Sequence, residues 1–406
     1  MFSKSPSKFG SGVSLLWRGN SFSNCCEYLK QSLFSRNRVE ISNDDSNIFL
    51  YESARSAIFH CLKAKEIGAN DEVIVSCFTC DAVTQAILIS GATPVYVDIN
   101  DDLSMSDNDV LSAINKLTKA VIMQDTFGRL GLKESTIKKI RQKGILLLED
   151  YVLSVGSIRN NVKLGKFGDA AFWSLEVSKT VTIGWGGVLA VNDEDFNQLM
   201  NGHYKLLSRI SIFEDLRRFM QTFFSLLMVN RAVPFGYIFW YVLYGSRIFK
   251  RSSSNFNQKL MHKKIGKISR DFFSFMHPRL NLLFDQTHKN YKRLESRAKN
   301  LNLEIPVIQE KDEYIVSPRF SVIVNSEQVK NIFDKGKAIG IEIGSWFDEC
   351  PPRLGYKNSR IHSHANASKI SKTIVNFSCH WTLSEDEIIR IFSILDFISQ
   401  NSYKEK

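Results

Sequence analysis

The chain has 406 residues, 44% of them hydrophobic, and 53 Lys and Arg against 42 Asp and Glu give a formal charge of +11. This length exceeds one ordinary domain and predicts two lobes sharing one cleft, with ample material for a buried core. Seven cysteines, an odd number without paired spacing, argue against a disulfide scaffold and for a reducing compartment.

Met1 to Gly12 is rich in Ser and Lys and lacks the continuous apolar stretch of a signal peptide, so the chain reads as cytoplasmic. We expect an N-terminal arm over residues 1–48 and a large domain over 49–245. A basic helical connection over 246–300 and a small domain over 301–406 complete the layout. From about residue 50 to 195, short apolar strands alternate with amphipathic helices. The strands are Val73–Val75, Val95–Val97, Ala120–Met123, Ile145–Leu148, Ala170–Trp173 and Val188–Val191. Helices are expected at Ser56–Lys65, Ala82–Ile89, Ser106–Ile114 and Glu134–Gln142. This alternation predicts an α/β fold with a mainly parallel central sheet covered on both faces. After residue 300 a smaller α+β unit follows: a strand within Tyr314–Val324, a helix at Gln328–Ala338 and a strand at Thr373–Phe377. The last helix starts at Ser384, where Ser384 and Glu387 have capping-box spacing.

Two segments point outward. Phe219–Ser246 is apolar and aromatic but is interrupted by Asn230, Arg231 and Pro234. Each remaining run is too short for a bilayer, which takes about 20 residues. Buried helices at a lobe or subunit interface are the expected use, with peripheral membrane contact as the alternative. Between Arg247 and Lys299, fourteen Lys or Arg face only Asp271, Asp285 and Glu295, so 14 − 3 places +11 in this stretch. That surplus suits an anionic partner such as a phosphorylated substrate or a membrane surface; it serves equally as a solvated helical face. Cys77 and Cys80 form a C-x-x-C, but no second Cys or His pair lies at ligand spacing, and no metal is expected.

In open α/β sheets ligands bind at the carboxyl ends of the strands. Asp150 and Ser174 are placed there. Asp98, also at a strand end, reads as structural. Lys179 follows closely, ahead of the glycine cluster Gly184-Trp185-Gly186-Gly187. A lysine amine condenses with aldehydes, and a carboxylate at a strand end can keep a pyridinium nitrogen charged. Taken singly, the lysine is an ordinary surface charge and Asp150 or Ser174 an ordinary cap; it is their joint placement that carries information.

Six segments in order carry a resemblance: Ser53-Ala54-Arg55-Ser56-Ala57; Asp71–Val75 with Phe78-Thr79-Cys80; Gly91–Asp98; Glu149-Asp150; Gly168–Ser174; and Lys179 with Gly186-Gly187. The chain resembles the DegT/DnrJ/StrS family of fold-type-I sugar aminotransferases, in a branch with a Phe/Tyr-Thr-Cys motif. The resemblance implies pyridoxal 5′-phosphate (PLP) as cofactor, with Lys179 as the imine lysine and proton carrier and Asp150 as partner of the pyridine nitrogen. It gives Ser174 to the phosphate, together with the helix-opening turn Ala54-Arg55-Ser56. It further implies glutamate as amino donor, a keto group on a nucleotide-linked sugar as acceptor, surface polysaccharide or secondary metabolism as context, and a homodimer.

Three positions depart from the pattern. Cys80 stands where the family usually stacks an aromatic ring on the cofactor. Leu153 replaces a Gln or His, and the partner-subunit phosphate segment has no clear counterpart, Asn255 and Asn257 being the nearest. His380 occupies a position often filled by His, where a structural histidine is the simpler reading. Trp346 either lines the substrate entrance or packs within the small lobe. Two other functions stay open: a PLP enzyme acting on a different, membrane-associated substrate, and a non-catalytic regulatory or binding relative.

Overall fold

The computed structural model describes residues 47–176, 179–229, 242–243, 246, 260–306, 314–352 and 357–402. The expected N-terminal arm up to residue 46, Asn255, Asn257 and most of the apolar stretch after Val229 lie outside these residues. The first part of the chain runs β1 (Ile48–Tyr51), α1 (Ala54–Ala64), β2 (Glu72–Ser76), α2 (Asp81–Ser90), β3 (Thr93–Val97) and α3 (Asp107–Ala113). It continues through β4 (Thr118–Gln124), α4 (Glu134–Gln142), β5 (Leu146–Asp150), the hairpin β6 (Ile158–Arg159) and β7 (Val162–Lys163), then β8 (Ala170–Ser174) and β9 (Gly187–Val191). Next come α5 (Glu194–Lys205), β10 (Ser208–Arg209), α6 (Ile212–Val229), β11 (Lys263–Lys264), α7 (Lys267–Met276) and α8 (Leu280–Asn300). The remainder is β12 (Arg319–Ile323), α9 (Ser326–Ala338), β13 (Ile343–Gly344), β14 (Arg360–Ile361), α10 (Ala365–Ile370), β15 (Ile374–Ser378) and α11 (Glu385–Ser402).

Ten strands form one sheet in the order β10-β11-β1-β9-β8-β5-β4-β2-β3-β14. From β14 across to β8 all neighbours are parallel, whereas β8–β9, β9–β1 and β1–β11 are antiparallel. The apolar runs explain this arrangement. Ile74, Val121, Met123 and Leu147 pack into the core on one face, while Val73, Val75, Ile122 and Leu148 pack into the core on the other. A strand whose side chains alternate between two buried faces must be apolar at every position, and helices on both faces supply the cover. Burying each such side chain contributes about 1.5–3 kcal/mol.

β12, β15 and β13 make a separate three-stranded antiparallel sheet, which packs with α8, α9 and α11 around its own core. The short β14 returns to the edge of the large sheet and pairs with β3. There Asp98 accepts the backbone N–H groups of Asn366 (2.7 Å) and Ala367 (2.8 Å) at the start of α10. Another buried acid, Asp215 on α6, accepts from Ile268 N (2.7 Å) and Ser269 Oγ (2.6 Å), tying α6 to the first turn of α7. No helix among the described residues is long and apolar enough to cross a membrane.

On α8 part of the positive surplus is paired. Lys292 and Lys299 both bond Glu295, at 2.9 and 3.1 Å, while Arg293 makes a two-pronged contact with Glu385 and Arg297 reaches Asp396. Glu385 and Asp396 both lie on α11. The α8 charges are thus partly matched by acids distant in sequence, which composition along a single segment does not reveal.

The capping box at the last helix is reciprocal. Ser384 N donates to Glu387 Oε2 at 3.0 Å, and Glu387 N donates to Ser384 Oγ at 3.3 Å. Ser384→Ala should therefore lower stability by about 1 kcal/mol, read as a fall in the urea midpoint with an unchanged slope.

Candidate active site

Strands β4 and β5 end on buried acids: Asp125 follows β4, and Glu149-Asp150 end β5. The Glu149 carboxylate organises the loop ahead of β8, accepting N–H groups from Gly165 (2.5 Å), Phe167 (2.9 Å) and Gly168 (2.9 Å). Asp125 accepts Gly131 N at 2.8 Å. Burial and the neighbouring Glu149 push the Asp125 carboxyl well above the usual range, so a proton on Asp125 links the two acids. Asp150 accepts Val152 N at 3.2 Å. Burial pushes its carboxyl up to about 7, against the pull of that N–H and of the Lys179 ammonium.

Lys179 rides on a loop, Leu175–Gly186, closed on itself by Leu175 N to Gly186 O (2.9 Å) and Ile183 N to Leu175 O (3.1 Å). The loop is held from two sides. On one side, a Cβ on Gly184, whose φ is +92°, would sit 2.1 Å from Thr222 Oγ1 of α6, and Trp185 lies under the Arg218 guanidinium at 4.7 Å. On the other, the fully buried His380 faces the backbone of Thr180. The ammonium of Lys179 stands 4.7 Å from the centre of the Trp346 ring and acts electrostatically on Cys80 and Asp150.

Ser174 ends β8 opposite Gly187 of β9, and its hydroxyl accepts Glu176 N at 3.3 Å. A Cβ on Gly187 would fall 2.1 Å from Ala54 N and 2.2 Å from the Ser53 carbonyl carbon. Only glycine lets β9 pass this close to the opening turn of α1, and so Ser174 and that turn are brought together. Ser53 caps α1 by accepting Ser56 N at 3.2 Å. Ala54 and Arg55 occupy first-turn positions whose N–H groups have no acceptor within the helix. Arg55 is buried among Cys80, Glu52, Glu176 and Asp81, and burial holds its guanidinium below the usual value. The Ser56 hydroxyl is engaged with Glu52 (3.1 Å), which in turn pairs with Arg218 (3.2 Å). The Ser56 hydroxyl therefore helps to fix the turn.

Cys80 is exposed and stands at the N-cap of α2, where its side chain makes no capping bond. Leu153 is buried in the apolar core. Sequence reasoning passed over Asp125 and Arg319. Asp125 carried a usable signal, since it ends an apolar strand just as Asp150 does. Arg319 carried none, because its neighbours come from distant parts of the chain.

Residues 47–223 match the DegT/DnrJ/EryC1/StrS aminotransferase family. This part of the chain is a domain of that family. Over 153 residues it is 31% identical to the dTDP-4-dehydro-2,3,6-trideoxy-D-glucose 4-aminotransferase of Saccharopolyspora spinosa, covering 37% of this chain and 40% of the relative. The UDP-N-acetyl-3-dehydro-alpha-D-glucosamine 3-aminotransferase of Acidithiobacillus ferrooxidans is 33% identical over 152 residues, 37% of this chain and 41% of its own length. The matched stretch thus spans about two fifths of these relatives. A structure assigned as a sugar aminotransferase from Streptococcus pneumoniae, in its PLP form, superposes with a TM-score of 0.71 at 18% identity, covering 93% of this chain and 96% of that one. At that identity the likeness establishes the fold, that of the fold-type-I aminotransferases.

Burial holds His380 down to about 3, with Arg319 adding to the effect, and its Nδ1 lies 3.0 Å from Thr382 Oγ1. A folded-state value below the unfolded one means that the unfolded chain takes up a proton as pH falls through about 6.5. From this group, stability is present above that pH and is lost on acidification toward 3. In an NMR titration the His380 imidazole should stay neutral down to pH 5, and titration near 6.5 would contradict the buried geometry.

Proposed function

We propose that this chain is a PLP-dependent aminotransferase. Lys179 and Asp150, with Ser174 and the α1 turn, carry that reading because Asp150, Ser174 and the α1 turn sit at the carboxyl ends of β5, β8 and β1, with Lys179 on the loop after β8. The site fits the cofactor on its own terms. Asp150 is a buried acid with one backbone donor, suited to a cationic ring nitrogen. The α1 turn offers N–H groups, the positive helix end and the Arg55 guanidinium to a phosphate, and Gly187 leaves the space for that turn.

When bound, PLP supplies an aldehyde carbon for an amine to condense with and a protonated ring that draws electrons from the substrate carbon. The chain's residues do the rest. Lys179 Nζ would hold that aldehyde carbon and would move a proton at the substrate carbon. Asp150 would pair with the cationic ring nitrogen, which favours the ionised carboxylate and would keep the proton on that nitrogen. Ser174, Arg55 and the N–H groups of Ala54 and Arg55 anchor the phosphate end. Cys80 borders the site without offering an aromatic face.

The amino donor in this reading is glutamate. The acceptor is a keto group on a nucleotide-linked sugar, made for surface polysaccharide or secondary metabolism. Relatives that act on dTDP- and UDP-linked sugars support this choice. The layout of a large PLP-binding domain, a basic connection and a small C-terminal domain belongs to the same proposal, as does a cytoplasmic location. So does a homodimer: α6 exposes Ile212, Phe213, Leu216, Met220 and Phe224 along its length, a stripe suited to a second subunit or, failing that, to a membrane surface.

The purified protein incubated with PLP should turn yellow, and borohydride should trap the cofactor on Lys179. Glutamate should bleach the band. Lys179→Ala should abolish trapping and lower transamination at least about 10²–10⁴-fold, with the fold retained by circular dichroism. A wild-type protein that takes up no PLP would end this reading.

A further inference from the structure

Trp346 joins the two lobes at the lysine. Its backbone N donates to Asn376 Oδ1 at 2.6 Å, and Asn376 Nδ2 donates to Ser321 Oγ at 2.9 Å, pinning it to the three-stranded sheet. Next to it, Phe347 meets Phe78 of the large sheet edge-on, with ring centres 5.2 Å apart. Arg319 stands over the indole at 5.0 Å, itself buried and paired with Glu342 at 3.1 Å. The ring is thereby set in place by the small lobe, and Trp346 remains half-buried.

The position of Lys179 tells what this ring faces. The amine both engages the cofactor's aldehyde carbon and serves the substrate's reacting carbon, so the latter must come within about 3–3.5 Å of Nζ. A ring centred 4.7 Å from Nζ is then within reach of the groups bonded to the reacting carbon. Asp150 marks the opposite, pyridine-nitrogen end of the cofactor. In this reading the indole flanks the substrate. Its π face is electron-rich, and the Lys179 ammonium now rests on it. Once Lys179 is engaged with the cofactor that charge leaves the face. A pyranose presents a flat array of weakly positive C–H groups suited to the vacated face, and indole offers more apolar area than any other side chain.

Resting on the aminotransferase reading, we propose that Trp346 recognises the sugar: the pyranose ring of the nucleotide-linked substrate stacks on the indole face that the Lys179 ammonium occupies in this structure. Arg319, packed on the same indole, is its positioning residue.

The test compares wild type, Trp346→Phe and Trp346→Ala, each loaded with PLP. Titration calorimetry measures dTDP-glucose, UDP-N-acetylglucosamine and GDP-mannose, each against its parent nucleoside diphosphate. For the nucleotide that binds, the sugar should add about tenfold in affinity in the wild type. That increment should be mostly kept in Trp346→Phe and nearly lost in Trp346→Ala, with borohydride trapping of PLP equal in all three. An increment that survives Trp346→Ala, or is absent from the wild type with all three pairs, overturns the proposal. An equal loss for the parent diphosphate, which would assign the ring to the base, overturns it too, as does reduced PLP trapping in Trp346→Ala alone. Failure of the parent reading is distinct, because it shows as a wild type that takes up no PLP.

Discussion

Crowding of carboxyl groups in a water-poor place is the constraint on which the site depends. Asp125, Glu149 and Asp150 arrive on adjacent parallel strands and cannot all carry charge without partners. Each finds a different solution. Glu149 takes three backbone N–H groups and in doing so shapes the loop before β8. Asp125 keeps a proton and shares it with Glu149. Asp150 is left with one N–H and the field of Lys179, and it titrates near neutrality until a cation arrives. A carboxyl poised in this way is a weak stabiliser of the empty protein and a strong partner for a positively charged ring.

The lysine is positioned by a second constraint, the clamp on its loop. Thr222 and Arg218 of α6 press on Gly184 and Trp185, and His380 of the small lobe presses on Thr180. In neither clamp do the pressing residues lie near Lys179 in sequence. The first needs a glycine at 184, since any side chain there would collide with Thr222. The second needs a neutral imidazole, which burial enforces. Because α6 also carries an exposed apolar stripe, the helix that steadies the lysine is the one with the most unfinished surface.

Departures from the family pattern acquire a physical meaning in this setting. Cys80 offers no ring to the cofactor, and Leu153 has become core. The small lobe compensates in kind, if not in place, by bringing an indole to Nζ. A site with a thiol on one wall and an indole at the lysine end distributes its binding surface differently from one that stacks an aromatic on the pyridine. The basic connection shows the reverse lesson: a charge surplus along the sequence is dispersed in space by Glu295, Glu385 and Asp396.

Much of this was written locally in the chain. Apolar runs such as Ile145–Leu148 can only be strands buried on both faces, and Ser384 with Glu387 can only open a helix, because these outcomes depend on neighbours a few residues apart. Strand order in the parallel sheet, which sets β5 beside β8, was not legible there, because it depends on long-range pairing. Tertiary structure decided what no window could show. Ser56 was spent on Glu52 because Arg218, far downstream, draws that acid in. Asp125 joined Glu149 through strand pairing, and Trp346 met Lys179 only when the small lobe folded back across the large one. Local sequence determines which groups are available; the long-range packing of buried charges and rings determines which of them remain free to react.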